Sequence, residues 1–294
     1  MALVINHNLM ATNASRNLAE SYGRLSTSTR RLSSGLRIGT ASDDAAGLAV
    51  RELMRADVKS LNQGIRNAND AISMIQTADG ALGVIDEKLI RMKELATQAS
   101  TGTYNSDQRL IIDSEYQAMA SEITRIANAT DFNGIHLLNG NMSGENSAHN
   151  GAGMKPTGPV KVHFGTANDS AEDYYYISID TATASALGVG SAAQNSISTQ
   201  ELAQESLVKL QKAIISKDKI RANLGALQNR LQNTITNLSV QAENVQASES
   251  RISDVDVATE MTEFVRNQIL TQSAVAMLSQ ANSMPRMAMQ LIGG

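Results

Sequence analysis

Cysteine and tryptophan are absent from this chain of 294 residues, and proline and aromatic residues are scarce. Without cysteine the chain cannot form disulfides, Cys-ligated zinc sites, iron–sulfur clusters or a thiol nucleophile. Phe, Trp and Tyr together make up only 3% of the residues, so the core must be built from Leu, Ile, Val, Met and Ala. Such a composition favours narrow seams between helices over a broad globular core.

The chain also lacks a strong charge of one sign and a long apolar run. Its 25 basic and 29 acidic residues leave a net charge of −4, which offers no general attraction to nucleic acid or to an anionic membrane. No stretch approaches the roughly 18 consecutive apolar residues of a membrane span. The start resembles no cleavable secretory signal, because no basic leader precedes an apolar run. We therefore expect neither a nucleic-acid partner nor a membrane partner.

The distribution of helix breakers divides the chain into three parts. All three prolines lie after residue 155, and Gly225 is the only glycine between residues 191 and 284, whereas glycines crowd the segment 134–190. Because proline and glycine are the residues that a helix interior tolerates least, we expect a helical first part, an irregular middle and a helical last part. If the segment 196–284 were one helix it would be about 130 Å long, which favours a rod.

Apolar residues recur at the spacing of helices that pack side by side. Steps of three and four run through 61–75, resume over 82–99 after a phase slip near Asp79, and return over 112–126. Two further stripes have members seven residues apart: Leu18, Leu25 and Leu32 near the beginning, and Leu224, Leu231, Leu238, Val245 and Ile252 in the last part. Packing in a helical core is the simplest explanation of each stripe.

The two ends of the chain carry opposite charge. Residues 1–40 contain five arginines and one glutamate, for a net charge of +4, whereas residues 241–263 have a net charge of −5. This asymmetry predicts that the N-terminal and C-terminal segments lie side by side. Two independently solvated faces remain the alternative.

The irregular middle contains two strand-like segments. Residues 160–164 alternate apolar and polar side chains, and residues 174–179 are rich in strand formers, so together they predict a small antiparallel hairpin. The stretch 150–153, Asn-Gly-Ala-Gly, is typical of a flexible link. Three adjacent tyrosines at 174–176 suit either a stacking platform or strand residues that cover helix ends.

The sequence contains few features that could support catalysis. The four histidines match no metal-binding spacing, and no nucleophile elbow, P-loop or strand-linked dinucleotide motif occurs. The adjacent carboxylates Asp43 and Asp44 are best explained as a turn that caps the next helix. We therefore expect no enzymatic activity, no cofactor and no metal.

Several sequence blocks resemble the bacterial flagellin family. They are RLSSGLRI at 31–38 followed by ASDDAAGLA at 41–49, NANDAIS at 67–73 followed by QTADGAL at 76–82, TDFNG at 130–134, LGALQNRL at 224–231, and Ala281-Asn282 with Pro285. The resemblance covers about residues 1–140 and 195–294. It implies a mainly α fold, a long antiparallel helical rod or coiled coil with a small β-hairpin region, in two layers and without a large outer domain.

The resemblance also implies how the chain divides. Residues 1–42 with 254–294 would form an inner terminal coiled-coil layer, and residues 43–140 with 195–253 a helical rod domain. Residues 141–194 would be a short variable region of hairpin and loops. The implied function is that of a structural subunit, exported unfolded by the flagellar type III system, which polymerises into the extracellular flagellar filament for motility. Polymerisation would rest on Leu18, Leu25, Leu32, Val265, Ile269, Leu270, Met277 and Leu278.

Partners follow from the same resemblance. They are further copies of the chain, an export chaperone at the C-terminus, the filament cap and hook-junction proteins, and host Toll-like receptor 5. Receptor binding would involve Arg91, Leu95 and Glu115. Two alternatives remain: a hook–filament junction protein of the same family, or a cytoplasmic signalling coiled coil.

Overall fold

The computed structural model describes residues 8–143, 158–170, 172–190 and 195–292. This part contains five helices: α1 Leu9–Ser34, α2 Ala45–Ala99, α3 Ser106–Ala129, α4 Gln200–Ser253 and α5 Val257–Ile292. Two antiparallel strand pairs accompany them: β1 Asp131–Phe132 with β2 Ile135–His136, and β3 Val160–His163 with β4 Tyr174–Ile177. The prediction of a mainly α chain with a small β-hairpin is confirmed, and the described residues contain no large outer domain.

The predicted hairpin is the pair β3 and β4, with Val160 opposite Ile177 and His163 opposite Tyr174. Tyr174 packs edge-on against Tyr176, and the Lys161 ammonium lies 3.5 Å from the centre of the Tyr174 ring. Much of the rest of the region 141–194, including the Asn-Gly-Ala-Gly stretch at 150–153, lies outside the described residues.

Caps formed by local side chains set the helix boundaries. The Asn8 side chain accepts a hydrogen bond from the Ala11 backbone N–H at 3.1 Å and starts α1. Gly35 ends α1 in the left-handed conformation, with φ of 72°, and donates its N–H to the Arg31 carbonyl. Asn105 and Gln108 form a reciprocal capping box at the start of α3.

The chain folds as two compact units. Unit 1 comprises Met1–Val58 and Glu243–Gly294, and unit 2 comprises Lys59–Ala242. The layer boundaries expected from the sequence, at 42/43 and 253/254, concern the assembled polymer and stay a prediction.

Unit 2 is built on the antiparallel pairing of α2 with α4. Lys93 on α2 donates from its ammonium to the side-chain oxygen of Gln211 on α4. Further along the same pair the Arg221 guanidinium binds the Asp79 carboxylate through two nitrogens at 2.7 and 3.2 Å. Apart from the half-buried Ile65, the apolar stripe of α2 is buried, and α3 packs Tyr116 and Ile123 into the same core. Helix α2 runs unbroken through Asp79, so the phase slip marks a polar contact between helices rather than a turn.

A buried cation lies in the same seam. Lys217 on α4 is only 2% exposed, and its ammonium lies 2.6 Å from a carboxylate oxygen of Asp86 on α2 and 2.6 Å from one of Asp218. A buried ammonium is tolerated only with such partners, so this contact specifies how α2 and α4 align.

The hairpin packs on α2 at a glycine. A Cβ atom at Gly64 would collide with the backbone carbonyl of Phe164, and Asn67 one turn later donates its side-chain N–H to the His163 carbonyl at 2.8 Å. The Phe164 ring then joins Leu61 and Leu238 in a small apolar cluster. Only a residue without a side chain permits this close approach.

The last helical segment is not continuous. Residues 254–256 separate α4 from α5, because Asp254 pairs with Leu36 as an isolated β-bridge and Val255 donates to the Gly35 carbonyl at 3.0 Å. Asp256 then caps α5 by accepting the Ala258 N–H. Pro285, in contrast, does not end a helix: it lies inside α5, which continues to Ile292.

Candidate assembly surfaces

Unit 1 pairs α1 and α5 in antiparallel orientation. Asn8 at the start of α1 contacts Ala281 late in α5, and Arg31 near the end of α1 contacts Glu260 in the first turn of α5. The Cα atoms of the two helices come within 8 Å of each other along the pair. The seam combines buried small and polar side chains, such as Ser28 and Ala281, with half-buried leucines such as Leu25.

Several polar side chains are buried in the seam. Ser28 of α1 is buried, and on α5 the buried side chains include Asn267 and Thr271. Thr271 satisfies its hydroxyl by donating to the Asn267 carbonyl at 2.7 Å. Large apolar side chains of α5 are instead exposed: Val257, Met261, Val265, Ile269, Leu270, Val275, Met277, Met287 and Met289.

The residues expected to drive polymerisation fall into two groups. Val265, Ile269, Leu270 and Met277 are exposed, between 44% and 62%. Leu18, Leu25, Leu32 and Leu278 are half-buried. The stripe on α1 is therefore partly packed within unit 1, whereas the apolar stripe on α5 has no apolar cover in the described residues. An apolar surface of this extent marks an interaction site in a soluble protein.

An apolar groove of about 460 Å³ runs between α1 and α5. Met10 and Asn17 contribute one wall, and Leu270, Met277 and Met284 the other. It lies at the end of the pair where Asn8 meets Ala281.

The predicted pairing of oppositely charged ends is seen in unit 1, through few contacts. The Arg31 guanidinium lies 3.5 Å from the Glu260 carboxylate, and Arg37 donates from its side chain to the Ile252 carbonyl at 2.7 Å. Arg24 pairs locally with Glu20 on α1 instead. The contact between the two charged ends thus consists of one ion pair and of hydrogen bonds near the end of α1.

The carboxylates Asp43 and Asp44 form a turn and a cap before α2, as the sequence predicted: Asp43 closes the turn and Asp44 caps the helix. Asp43 accepts the backbone N–H of Thr40 at 3.0 Å, its hydroxyl at 2.9 Å and the Gly39 N–H at 3.2 Å. The Thr40 hydrogen bonds hold the pKa of Asp43 below its ordinary value. Asp44 accepts the Gly47 N–H at 2.9 Å at the start of α2. Both carboxylates have structural hydrogen-bond partners.

Arg91, Leu95 and Glu115, the residues of the expected receptor site, occupy different environments. Arg91 on α2 binds Glu115 on α3 through two nitrogens, at 2.9 and 2.8 Å, and Glu94 on its own helix. Hydrogen bonding to Glu115 and then to Glu94 raises the pKa of the exposed Arg91 guanidinium. Leu95 differs, because it is 2% exposed and packs in the core of unit 2. The Leu95 side chain thus packs inside the unit that presents Arg91 and Glu115, and the receptor role of the three residues stays a prediction.

Metal ligation and membrane spanning can both be assessed for the described residues. Among them no group of three or more His, Asp or Glu side chains is placed to hold a metal ion. Across the same part of the chain, no helix combines the length and the apolar character needed to cross a bilayer.

Comparison with known proteins identifies the family. The model of the bacterial flagellin N-terminal helical region matches residues 5–143, and that of the C-terminal helical region matches residues 207–292. Flagellin FlaB2 of Treponema pallidum (strain Nichols) is 40% identical over 293 residues, covering 99% of this chain and all of the relative. The flagellar filament 33 kDa core protein of Treponema phagedenis is likewise 40% identical, with 99% and 100% covered.

A solved structure shows the same fold at lower identity. A protein from Vibrio parahaemolyticus, described as a flagellar hook-associated protein, has a TM-score of 0.55 at 13% identity and covers 72% of this chain and 100% of its own. At this identity the likeness concerns the fold alone.

Paired helices with an apolar surface turned outward define the class of structural proteins that function in assemblies. The chain belongs to the bacterial flagellin family. It is a structural subunit of the flagellar filament, outside the cell.

Proposed function

We propose that this subunit polymerises through the apolar surface that α1 and α5 leave exposed. The observation that carries the proposal is the inverted seam of unit 1, where Asn267 and Thr271 are buried while Ile269 between them is 57% exposed. Burying an exposed side chain of this size contributes about 1.5–3 kcal/mol. Repeated head-to-tail contacts of one surface with another generate an open helical filament.

The eight residues expected from the sequence would contribute to polymerisation in two different ways. Val265, Ile269, Leu270 and Met277 would supply the surface buried against neighbouring copies, because they are exposed in the subunit. Leu18, Leu25, Leu32 and Leu278 would contribute their remaining exposed area and hold the two helices in the conformation that presents this surface.

A matched pair of variants tests the proposal. Ile269 on α5 and Val208 on α4 are exposed to nearly the same extent, 57% and 59%. Ile269→Ser removes apolar area from the proposed contact and should raise the critical concentration for seeded polymerisation by about tenfold, whereas Val208→Ser should change it less than about twofold. Equal effects of the two variants, or unchanged polymerisation of Ile269→Ser, would contradict the proposal.

In the polymer we propose two layers. Residues 1–42 and 254–294 would form the inner layer, residues 43–140 and 195–253 the surrounding one, and residues 141–194 a short outer region. The pairing of α1 with α5 supports the assignment of both ends to one layer. Cysteine labels at Ser273 and at Ser121 would test it, because the first should become inaccessible to a maleimide reagent in filaments and the second should remain more accessible.

Export, motility and the remaining filament partners follow from family membership. We infer that the chain passes unfolded through the flagellar type III system, with a chaperone covering the apolar face of its C-terminal segment, and that the filament serves motility. The filament cap and the hook-junction proteins would bind the same terminal faces at the two filament ends. Ile269→Ser should weaken chaperone binding in a pull-down assay and Val208→Ser should not.

A host receptor contact is a separate proposal. Arg91 and Glu115 lie exposed and joined on neighbouring helices, which suits recognition by Toll-like receptor 5. Arg91→Ala and Glu115→Ala should lower receptor activation while the subunit still polymerises. Leu95→Ala should act only through loss of core packing, and would lower the free energy of unfolding by about 2–5 kcal/mol.

We infer that the role is structural, without catalytic chemistry. Support comes from the carboxylates Asp43 and Asp44, whose hydrogen bonds are made to the turn before α2 and to its first residues.

A further inference from the structure

Among the methionines that the structure describes, the exposed ones lie on the two terminal helices. Within the described residues, those with exposed side chains lie on α1 and α5 and are between 43% and 62% exposed: Met10, Met261, Met277, Met287 and Met289. Methionine is a flexible apolar residue that normally fills gaps in cores, so five on the surface of one unit need an explanation.

The methionines of unit 2 behave differently. Met74, Met92 and Met142 are buried, at 3% exposure or less, and Met119 is half-buried against the core. The same chain therefore holds one protected set of thioethers and one set open to solvent.

The open set lies on the surface through which the subunit is proposed to polymerise. Met10 on α1 and Met277 on α5 line the apolar groove between the two helices, together with the half-buried Met284. Met261 stands one turn from Val265 on the outward face of α5, and Val265 is itself exposed.

We propose that these five methionines are an oxidation site that controls whether the free subunit assembles. The oxidant is a peroxide. A sulfur lone pair attacks one peroxide oxygen, the O–O bond breaks, an S=O bond forms, and the other oxygen leaves as water after taking up the proton. The thioether is oxidised by two electrons to a sulfoxide and the peroxide is reduced.

The effect on assembly follows from the polarity of the product, and it rests on the proposed polymerisation surface. A sulfoxide is polar and stiffer than a thioether, so a contact that buries it must desolvate an oxygen without a hydrogen-bond donor. Subunits already in a filament have these sulfurs covered and should resist the same oxidant. The modification would therefore block free subunits and spare assembled ones.

The experiment compares two leucine variants of the full chain, because leucine keeps the apolar volume of methionine and cannot be oxidised. One variant replaces the five exposed methionines, and the other replaces the buried Met74, Met92 and Met142. Each is exposed to hydrogen peroxide as free subunit, mapped for sulfoxide by mass spectrometry, and then seeded for polymerisation.

We expect sulfoxide in the wild-type protein at Met10, Met261, Met277, Met287 and Met289, and a rise of at least about tenfold in its critical concentration for polymerisation. The variant without exposed methionines should polymerise equally well before and after peroxide. The variant without buried methionines should lose polymerisation as the wild type does. Oxidised wild type should recover when a pair of methionine sulfoxide reductases, one for each sulfoxide epimer, removes the oxygen.

Three results would overturn the proposal: sulfoxide mainly on the buried methionines, unchanged polymerisation of the oxidised wild type, or no recovery after enzymatic reduction. Recovery of the oxidised wild type after treatment with the reductases tests the proposal even if the variant that lacks the five exposed methionines assembles poorly without peroxide. Failure of untreated wild type to polymerise under seeding would instead refute the proposed polymerisation, and the sulfoxide map would still report which sulfurs are open to the oxidant.

Discussion

Asn8 donates from its side-chain nitrogen to the Ala281 carbonyl oxygen at 2.7 Å. In an unbroken helix that carbonyl accepts from the N–H of residue 285, which is proline here and has none. The same Asn8 side chain accepts the Ala11 N–H with its oxygen. One side chain thus caps α1 and satisfies the carbonyl that Pro285 leaves free in α5, and this explains how α5 carries a proline in its interior.

This relationship predicts coupling between positions 8 and 285. Asn8→Asp keeps the capping oxygen and removes the donor, so it should lower the free energy of unfolding by about 1 kcal/mol. In a Pro285→Ala background the new backbone N–H of residue 285 pairs with the Ala281 carbonyl. Asn8→Asp should then lower the free energy of unfolding much less. Thermal unfolding of the wild type, the two single variants and the double variant by circular dichroism measures the coupling. Additive effects would contradict the role of Asn8 as the partner of the Ala281 carbonyl.

A second prediction concerns the ion pair at the other end of the two helices. Arg31→Glu would place a carboxylate beside Glu260, whose side chain is 11% exposed, and should destabilise unit 1 by about 1 kcal/mol or more. The double variant Arg31→Glu with Glu260→Arg restores opposite charges and should recover most of the loss. If the effect of the double variant equals the sum of the single effects, the two ends act independently.

The helices and the hairpin were predictable from sequence because their signals are local. Three-and-four spacing specifies which face of α2 is buried, and alternation followed by strand formers specifies β3 and β4. The cap at Asp43 and Asp44 was predictable for the same reason. These patterns depend only on the period of the element and on residues within one turn of it.

The inward face of α5 was not predictable from such patterns. Apolar periodicity assigns the apolar stripe to the inside of a fold, whereas α5 turns Asn267 and Thr271 towards α1 and Ile269 outward. Apolar periodicity cannot tell whether a stripe packs within the chain or against another copy. The contact of Asn8 with Ala281 spans 273 residues and has no local signature either.

A third prediction tests the docking of the hairpin on α2. Gly64→Ala places a Cβ against the Phe164 carbonyl, which is backbone and cannot rotate away, so the hairpin must shift. We expect a loss of about 1–3 kcal/mol in the free energy of unfolding, and faster proteolysis within 160–177.

Gly80→Ala is the control on the same helix. A Cβ at Gly80 meets no atom within 4 Å, so alanine should stabilise α2 by about 0.5–1 kcal/mol through its higher helix propensity. The midpoint temperature of thermal unfolding should therefore fall for Gly64→Ala and rise for Gly80→Ala. A stabilising Gly64→Ala would show that the hairpin is not held against this helix.

The last prediction concerns alkaline pH and Tyr116 on α3. Tyr116 is 1% exposed, and burial raises the pKa of its phenol from the usual 10.0 to about 12. The folded state therefore holds the phenolic proton more tightly than the unfolded chain does.

The resulting stabilisation is fully present below pH 10 and is lost as the pH rises to about 12. Phenylalanine has no proton to lose, so the free energy of unfolding of the wild type should fall by about 2–3 kcal/mol relative to Tyr116→Phe across this window. Denaturant unfolding of both proteins at a series of alkaline pH values measures the difference, which cancels the titration of all other groups. A constant difference between the two proteins would show that this phenol ionises equally easily in the folded and unfolded states.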